Sequence, residues 1–339
     1  MIRKLLTDCR GKIWIVMSVS LCWMSAAGCD DLSGAAGSDS VKSRLFAVQY
    51  ITEVKNIPKN AKELRLWFPV PKNNLHQHIT ELAIVTPLKH RVITEKKYGN
   101  KMVFLSLPNP PSRIKVEMLF RVRRYENSAQ HGRSVDARMT KPALQADNLV
   151  PVSPEIRRIA ERIAEGRESN RDKARAFYEY IVEQMAYDKT GTGWGCGDFW
   201  YARNVRKGNC TDYHAYFIGL CRNIGIPAYL EIGLSIPTQP TAGETGGYHC
   251  WAYFWDGTQW IPVDISEGDK RPEMKDYFFA NHCENRVAFA IGRDVVLEPS
   301  QKGEPLKFFI YPYAEVDGKP HADIGKRSYY RSLKEQDSR

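Results

Sequence analysis

Between residues 207 and 265 the sequence lays out a run of local signals that few folds satisfy. Lys207-Gly208-Asn209 is a turn signal, and the segment 212–223 behind it sets Ala215, Ile218 and Gly219 at helical spacing. That helix is expected to stop at Gly225, which Ile226-Pro227 follows. A strand is then expected over 249–255, a hairpin turn at Asp256-Gly257 and a return strand over 260–265. A turn feeding a helix, followed by an antiparallel hairpin, places this part of the chain in the α+β class.

The same elements carry Cys210, His249 and Asp264 in that order. A thiol attacks an acyl carbon only as thiolate, and histidine is the side chain suited to take its proton near neutral pH. A carboxylate then fixes the imidazole tautomer and offsets the imidazolium charge. Cys210 falls in the loop-to-helix turn, where free N–H groups and the helix dipole favour a thiolate. If Trp255 pairs with Trp260, Asp264 lies opposite Trp251, and His249 is two residues along on the same face. Taken singly, His249 reads as a structural histidine and Asp264 as a strand-end residue. Cys221, late in the helix, reads as a core thiol, and Cys250 is expected in the core on the face opposite His249. Cys210 and His214 have a metal-like i, i+4 spacing. His249 and Cys250 point apart on a strand, however, and no Cys-x-x-Cys pair supports them, so no metal and no cofactor is expected.

The chain has 339 residues, enough for two domains with separate cores. Segments such as 46–52, 63–70, 101–107 and 114–122 largely alternate between two faces and are separated by turn residues. They predict a β-sandwich over 44–126. The polar stretch 127–149 reads as a linker. Ser153-Pro154-Glu155 opens a helix with a cap, a proline at its first position and an acidic first turn. Asn170 is expected to cap the next helix, with Ala174, Phe177, Tyr178, Ile181 and Val182 as its apolar stripe. The Gly-rich loop 191–197 does not end in the Lys-Ser/Thr of a phosphate-binding loop. Net charge is +10, but no long Lys/Arg run or nucleic-acid motif accompanies it, so a diffusely basic surface and no nucleic-acid partner are expected.

The N-terminus reads as a targeting segment. Arg3, Lys4, Arg10 and Lys12 precede an apolar stretch, 13–23, that is too short to span a bilayer as a helix. Ser25-Ala26-Ala27-Gly28 runs into Cys29 and resembles a bacterial lipobox, with Ala26 where leucine is more usual. That resemblance implies a signal peptide over 1–28, lipidation of Cys29, a tether over 29–43 and a membrane partner through the lipid. The alternative is an ordinary cleaved signal that leaves Cys29 a plain thiol. Either way the protein is expected to be exported to the cell envelope or periplasm. Cys196, Cys210, Cys221, Cys250 and Cys283 would then sit in an oxidising compartment, with the pairing of the four other than Cys210 left open.

Taken together, Gly208-Asn209-Cys210, the helix ending at 222–228, Tyr248-His249-Cys250-Trp251 and the segment 260–264 resemble the transglutaminase-like core, a relative of papain-type cysteine proteases. The resemblance covers roughly 150–285, and residues 308–316 resemble the ending of a bacterial exported subgroup with an N-terminal β-domain. It implies Cys210 as nucleophile, His249 as general base and acid, and Asp264 as the orienting carboxylate. Tyr187 and Trp194 are the candidates to assist the oxyanion. A C-terminal β extension is expected over 286–330 and a polar tail over 331–339. The implied chemistry is acyl transfer from a peptide or protein amide through a thioester. Hydrolysis by a peptidase or amidase is preferred; a crosslinking transglutaminase and an inactive envelope binding module are the alternatives. The sequence is silent on oligomeric state.

Overall fold

The computed structural model describes residues 41–129 and 136–334. The signal peptide, Cys29 and nearly all of the tether lie outside the described residues. Six strands come first: β1 (Ser43–Val54), β2 (Glu63–Val70), β3 (Gln77–Val85), β4 (Arg91–Thr94), β5 (Lys101–Pro108) and β6 (Ile114–Tyr125). The short strand β7 (Asn127–Ser128) leads to α1 (Pro154–Ile163), α2 (Asn170–Gln184), β8 (Ala186–Tyr187), α3 (Phe199–Val205), β9 (Lys207–Gly208) and α4 (Cys210–Asn223). Then come β10 (Ala228–Ser235), β11 (Ala242–Glu244), β12 (Tyr248–Trp255), β13 (Trp260–Val263), α5 (Ile265–Lys270), α6 (Lys275–Phe278) and β14 (Asn281–His282). The chain closes with β15 (Arg286–Ile291), β16 (Tyr313–Val316), β17 (Lys319–His321) and β18 (Ile324–Leu333).

Two five-stranded sheets, ordered β11-β18-β1-β6-β3 and β17-β16-β2-β5-β4, form the β part. Strands β1 and β6 alternate buried residues with half-buried or exposed ones along most of their length, as strands with one face on the core do. Tyr50 of β1 meets Phe68 of β2 edge-on at 4.9 Å between ring centroids, joining the two sheets. A third sheet, β13-β12-β10-β15, carries helix α4. The two parts do not have separate cores. Phe289 of β15 packs on Tyr50 at 5.9 Å and on Phe120 at 6.0 Å, so one apolar cluster runs through both.

The expected C-terminal extension, 286–330, divides three ways. Strand β15 completes the sheet under α4, β16 pairs with β2 and carries β17 on its other edge, and β18 lies beside β1. Residues 331–333, read from sequence as tail, pair with 45–47. Main-chain pairing makes no demand for apolar side chains, so a polar segment can still form a strand. The expected linker carries β7 and two short 3-10 turns. The second helix is capped by Ser169 rather than Asn170: its hydroxyl accepts the Asp172 N–H at 3.0 Å and donates to the Asp172 carboxylate at 2.6 Å.

Helix α4 is buried along its whole length. Its polar residues are therefore all bonded, because a buried unpaired polar group costs about 1–3 kcal/mol. Arg222, for example, donates to Asp147 at 2.5 Å and to the Ala143 and Ala228 carbonyls. At Gly219 a Cβ would sit 2.4 Å from the Phe199 ring, so the absent side chain is what lets α3 approach. No helix among the described residues is long and apolar enough to cross a membrane.

Candidate active site

Cys210 is the first residue of α4. Asn209 caps the helix, its Oδ1 accepting the Thr211 N–H at 2.9 Å, while Asp212 reaches back to the Asn209 N–H at 2.9 Å. This reciprocal pair is the capping box. Asp212 also accepts the N–H groups of Gly195 at 2.7 Å and Gly197 at 3.0 Å, tying the Gly-rich loop to the start of α4. The Cys210 N–H itself has no partner among the described residues.

The hairpin pairs Trp255 with Trp260 and Ala252 with Val263. One step further along, Asp264 leaves the strand and becomes the N-cap of α5, its Oδ1 accepting the Glu267 N–H at 3.1 Å. His249 donates from Nε2 to Asp264 Oδ2 at 2.7 Å. Arg286 donates to the same oxygen at 3.0 Å and stacks 4.8 Å over the Trp251 ring. His249 lies opposite Gly233 on β10, where the register shifts toward β15. A Cβ at Gly233 would fall 1.8 Å from the Val287 carbonyl oxygen, so only glycine fits there.

Cys210, His249 and Asp264 are 2%, 6% and 0% exposed. Burial alone would raise the Cys210 thiol. Hydrogen bonds with Cys250 and His249 and the charges of His249 and His214 outweigh it, and the thiol is held well below the ordinary range. His249 moves the other way. Burial disfavours its charge, but the carboxylate of Asp264 and the thiolate of Cys210 push it up to about 10. Asp264, against the effect of burial, is held well below the usual carboxylate range by His249, Arg286 and His214. The three shifts run in the direction that favours thiolate, imidazolium and carboxylate.

Three neighbours were not legible as site residues. His214, one turn along α4, donates from Nδ1 to the Cys210 carbonyl at 2.6 Å and accepts the Ile265 N–H at Nε2, 3.2 Å. Burial holds its pKa below the ordinary value, against the pull of Asp264 and Cys210. The i, i+4 spacing from Cys210 was its only signal. Cys250 is fully buried, as a core thiol should be. Its sulfur nevertheless lies 3.8 Å from His214 Nδ1 and bonds to the Cys210 thiol, rather than facing away from the site. Burial pushes its thiol up, so it stays protonated. Arg286 had no sequence signal at all.

The two oxyanion candidates differ. Tyr187 pairs through its backbone with Gly208, two residues before Cys210. Burial and the Cys210 charge push its hydroxyl up to about 12, which keeps it a donor. Trp194 donates its indole N–H to the Gly191 carbonyl at 3.2 Å, inside its own loop. Tyr248 stands closer in than sequence suggested: its hydroxyl accepts from Asn209 Nδ2 at 2.8 Å. A large cavity of about 1070 Å³ between the sheets, bordered by His76, Tyr98, Tyr229, Glu231 and Tyr253, does not include the thiol. Among the described residues, no three or more His, Cys, Asp or Glu side chains are arranged to hold a metal ion.

Comparison with known proteins shows what this part of the chain is similar to. Residues 157–265 match the model of the transglutaminase-like superfamily. An uncharacterized protein of Haemophilus influenzae is 29% identical over 316 residues, covering 78% of this chain and 84% of that one. The crystal structure of a candidate cysteine protease from Cytophaga hutchinsonii superposes with a TM-score of 0.58 at 15% identity, covering 86% of this chain and 92% of that one. That likeness concerns the fold. The periplasmic domain of TgpA from Pseudomonas aeruginosa covers 70% of this chain and 91% of its own length at 16% identity, with a TM-score of 0.34. Residues 157–265, the stretch that matches the transglutaminase-like superfamily model, carry Cys210, His249 and the Asp264 cap within a mixed α+β architecture.

Proposed function

We propose that this protein performs cysteine-dependent acyl transfer on amide substrates, with water as the acceptor, as a peptidase or amidase does. The observation that carries the reading is the buried Cys210 at the start of α4 together with His249, whose imidazole lies 2.7 Å from Asp264, and the shifts that lower the thiol and raise the imidazole agree with it. The thiolate attacks the amide carbonyl. The negative charge that develops on oxygen meets the unpartnered Cys210 N–H and the Tyr187 hydroxyl. Collapse breaks the C–N bond, the imidazolium passes its proton to the leaving amine, and a thioester remains. His249, now neutral, takes a proton from water, which attacks the thioester and regenerates the thiolate. Throughout, Asp264 holds Nε2–H, so that Nδ1 is the nitrogen that exchanges the proton. We further propose that this happens in the cell envelope, with the chain held by lipid at Cys29; the signal-like N-terminus motivates this part.

Alkylation tests the core of the reading. At about pH 6 an ordinary thiol is almost wholly protonated. Iodoacetamide should therefore modify Cys210 far faster than Cys196, Cys221, Cys250 or Cys283, and His249→Ala should remove the advantage. Equal rates at all five, unchanged by His249→Ala, would leave an inactive binding module as the better reading. Release of amine from an amide probe, with or without incorporation of an added amine, separates hydrolysis from crosslinking.

A further inference from the structure

Half-buried aromatic rings flank the residues that lead into Cys210, and each group of them is topped by a lysine. Tyr187, paired with Gly208, has Lys270 3.8 Å and Lys189 5.5 Å from its ring centroid. Tyr248, bonded to Asn209, packs on Phe308 at 5.5 Å and edge-on to Tyr311 at 5.7 Å. Lys326 of β18 sits 3.3 Å over the Tyr311 ring. Cys196 follows Gly195, the residue that anchors to Asp212, and its sulfur accepts from the Lys307 ammonium at 3.1 Å. Four ammonium groups thus stand two or three contacts from one nucleophile.

The nearby carboxylates neutralise Lys270 alone among them, through Glu267. Asp188 is taken by Thr190 and Lys207, and Asp269 by the Tyr213 hydroxyl. Asp212 holds three backbone N–H groups, and Glu267 takes Lys270 and Arg271. Among the described residues, Lys189, Lys307 and Lys326 have no carboxylate within ion-pair distance. Aromatic faces with exposed cations on their outer side form a surface for an extended chain: rings take its apolar stems and ammonium groups its carboxylates. A basic peptide would meet repulsion at every one of these positions.

We propose that the acyl donor is an acidic peptide, one with carboxylate side chains flanking the reacting amide, and that Lys189, Lys307 and Lys326 bind those carboxylates. This rests on the acyl-transfer reading for its chemistry, but its test does not. Lysines at the rim act on encounter and register more than on the bond-breaking step, so the preference is for binding and screens with salt.

The test is fluorescence anisotropy with full-length Cys210→Ala protein and two labelled peptides of equal length, one with glutamates around a central glutamine and one with glutamines throughout. The glutamate peptide should bind about 10-fold tighter at low ionic strength. The advantage should shrink to about twofold in 0.5 M salt, where the Debye length falls below about 5 Å. Lys189→Gln with Lys326→Gln should remove most of it, while iodoacetamide, which is neutral, still modifies Cys210 of the doubly substituted protein at the unsubstituted rate. Equal affinities, no binding of either peptide, or a preference that survives both lysine substitutions would overturn the proposal. Slow alkylation of Cys210 in the unsubstituted protein would overturn the acyl-transfer reading instead, so the two failures are separable.

Discussion

Asp264→Asn is the substitution on which the site geometry makes its sharpest statement. Four donors converge on the carboxylate: His249 Nε2, Arg286 Nη1, the Glu267 N–H and the Ser266 hydroxyl. An amide keeps the shape but has one acceptor atom. If its oxygen faces His249 and Arg286, its NH₂ opposes the Glu267 N–H and the cap of α5 is lost, at about 0.5–2 kcal/mol. If it is flipped, the NH₂ faces His249, which must then carry its proton on Nδ1 and can no longer take one there. In both cases Arg286 loses the anion that offsets its burial, and breaking such a buried pair costs about 3–5 kcal/mol. The rise of His249 from 6.5 to about 10 corresponds to about 5 kcal/mol in favour of the imidazolium, shared between Asp264 and the thiolate. Losing the Asp264 share releases the thiolate as well. The assay is the rate of Cys210 carboxamidomethylation against pH, with urea unfolding alongside. In the unsubstituted protein the thiolate limb should extend below pH 6. In Asp264→Asn it should move toward the ordinary thiol value of about 8.5, and stability should fall by about 3 kcal/mol or more. An unchanged pH profile in a folded Asp264→Asn protein would refute the electrostatic account of the site.

Two further predictions concern the scaffold. His76 is 8% exposed, its Nε2 has no partner, and burial together with Arg124 pushes its pKa down to about 4. Above pH 6.5 it is neutral in both states, but below that the unfolded chain binds the proton first, so stability falls until about pH 4, by about 3 kcal/mol. Urea midpoints at pH 7 and 4.5 should show the drop, and His76→Gln should lessen it; an equal drop in the variant would count against the assignment. Gly233→Ala forces a Cβ to 1.8 Å from the Val287 oxygen, and should cost about 3 kcal/mol or more in urea unfolding, with slower Cys210 alkylation because His249 lies across from it. A change within about 0.5 kcal/mol would mean that the bulge relaxes freely.

What the sequence revealed follows from the range of each interaction. Asn209 to Cys210, the Gly225 stop and the Asp256-Gly257 turn are local, and period-two spacing then carries His249 to Asp264 across the hairpin. The Asn209–Asp212 capping box was present as a pattern and could have been read. Arg286, Lys326 and the Phe289 contact with Tyr50 join residues tens to hundreds of positions apart, and no local pattern announces such a pairing. Cys250 is a subtler case: strict alternation sends it away from His249, yet it meets Cys210 because α4 itself packs on that face. The β strands were readable one by one, whereas their order was not. Sheet order depends on which edge each strand finds after collapse.

Strand β1 lies between β6 and β18, ten residue pairs of it matched to the far end of the chain. During synthesis, then, β1 keeps one edge bare until residues 324–333 have been made. A frameshift or nonsense change near residue 320 would not trim a tail. It would expose the middle of a sheet, strip β11 of its partner, and offer a long template to a second copy. Genetic lesions near residue 320 should therefore behave as severely as those in α4, and quality-control proteases would see their products as incomplete proteins.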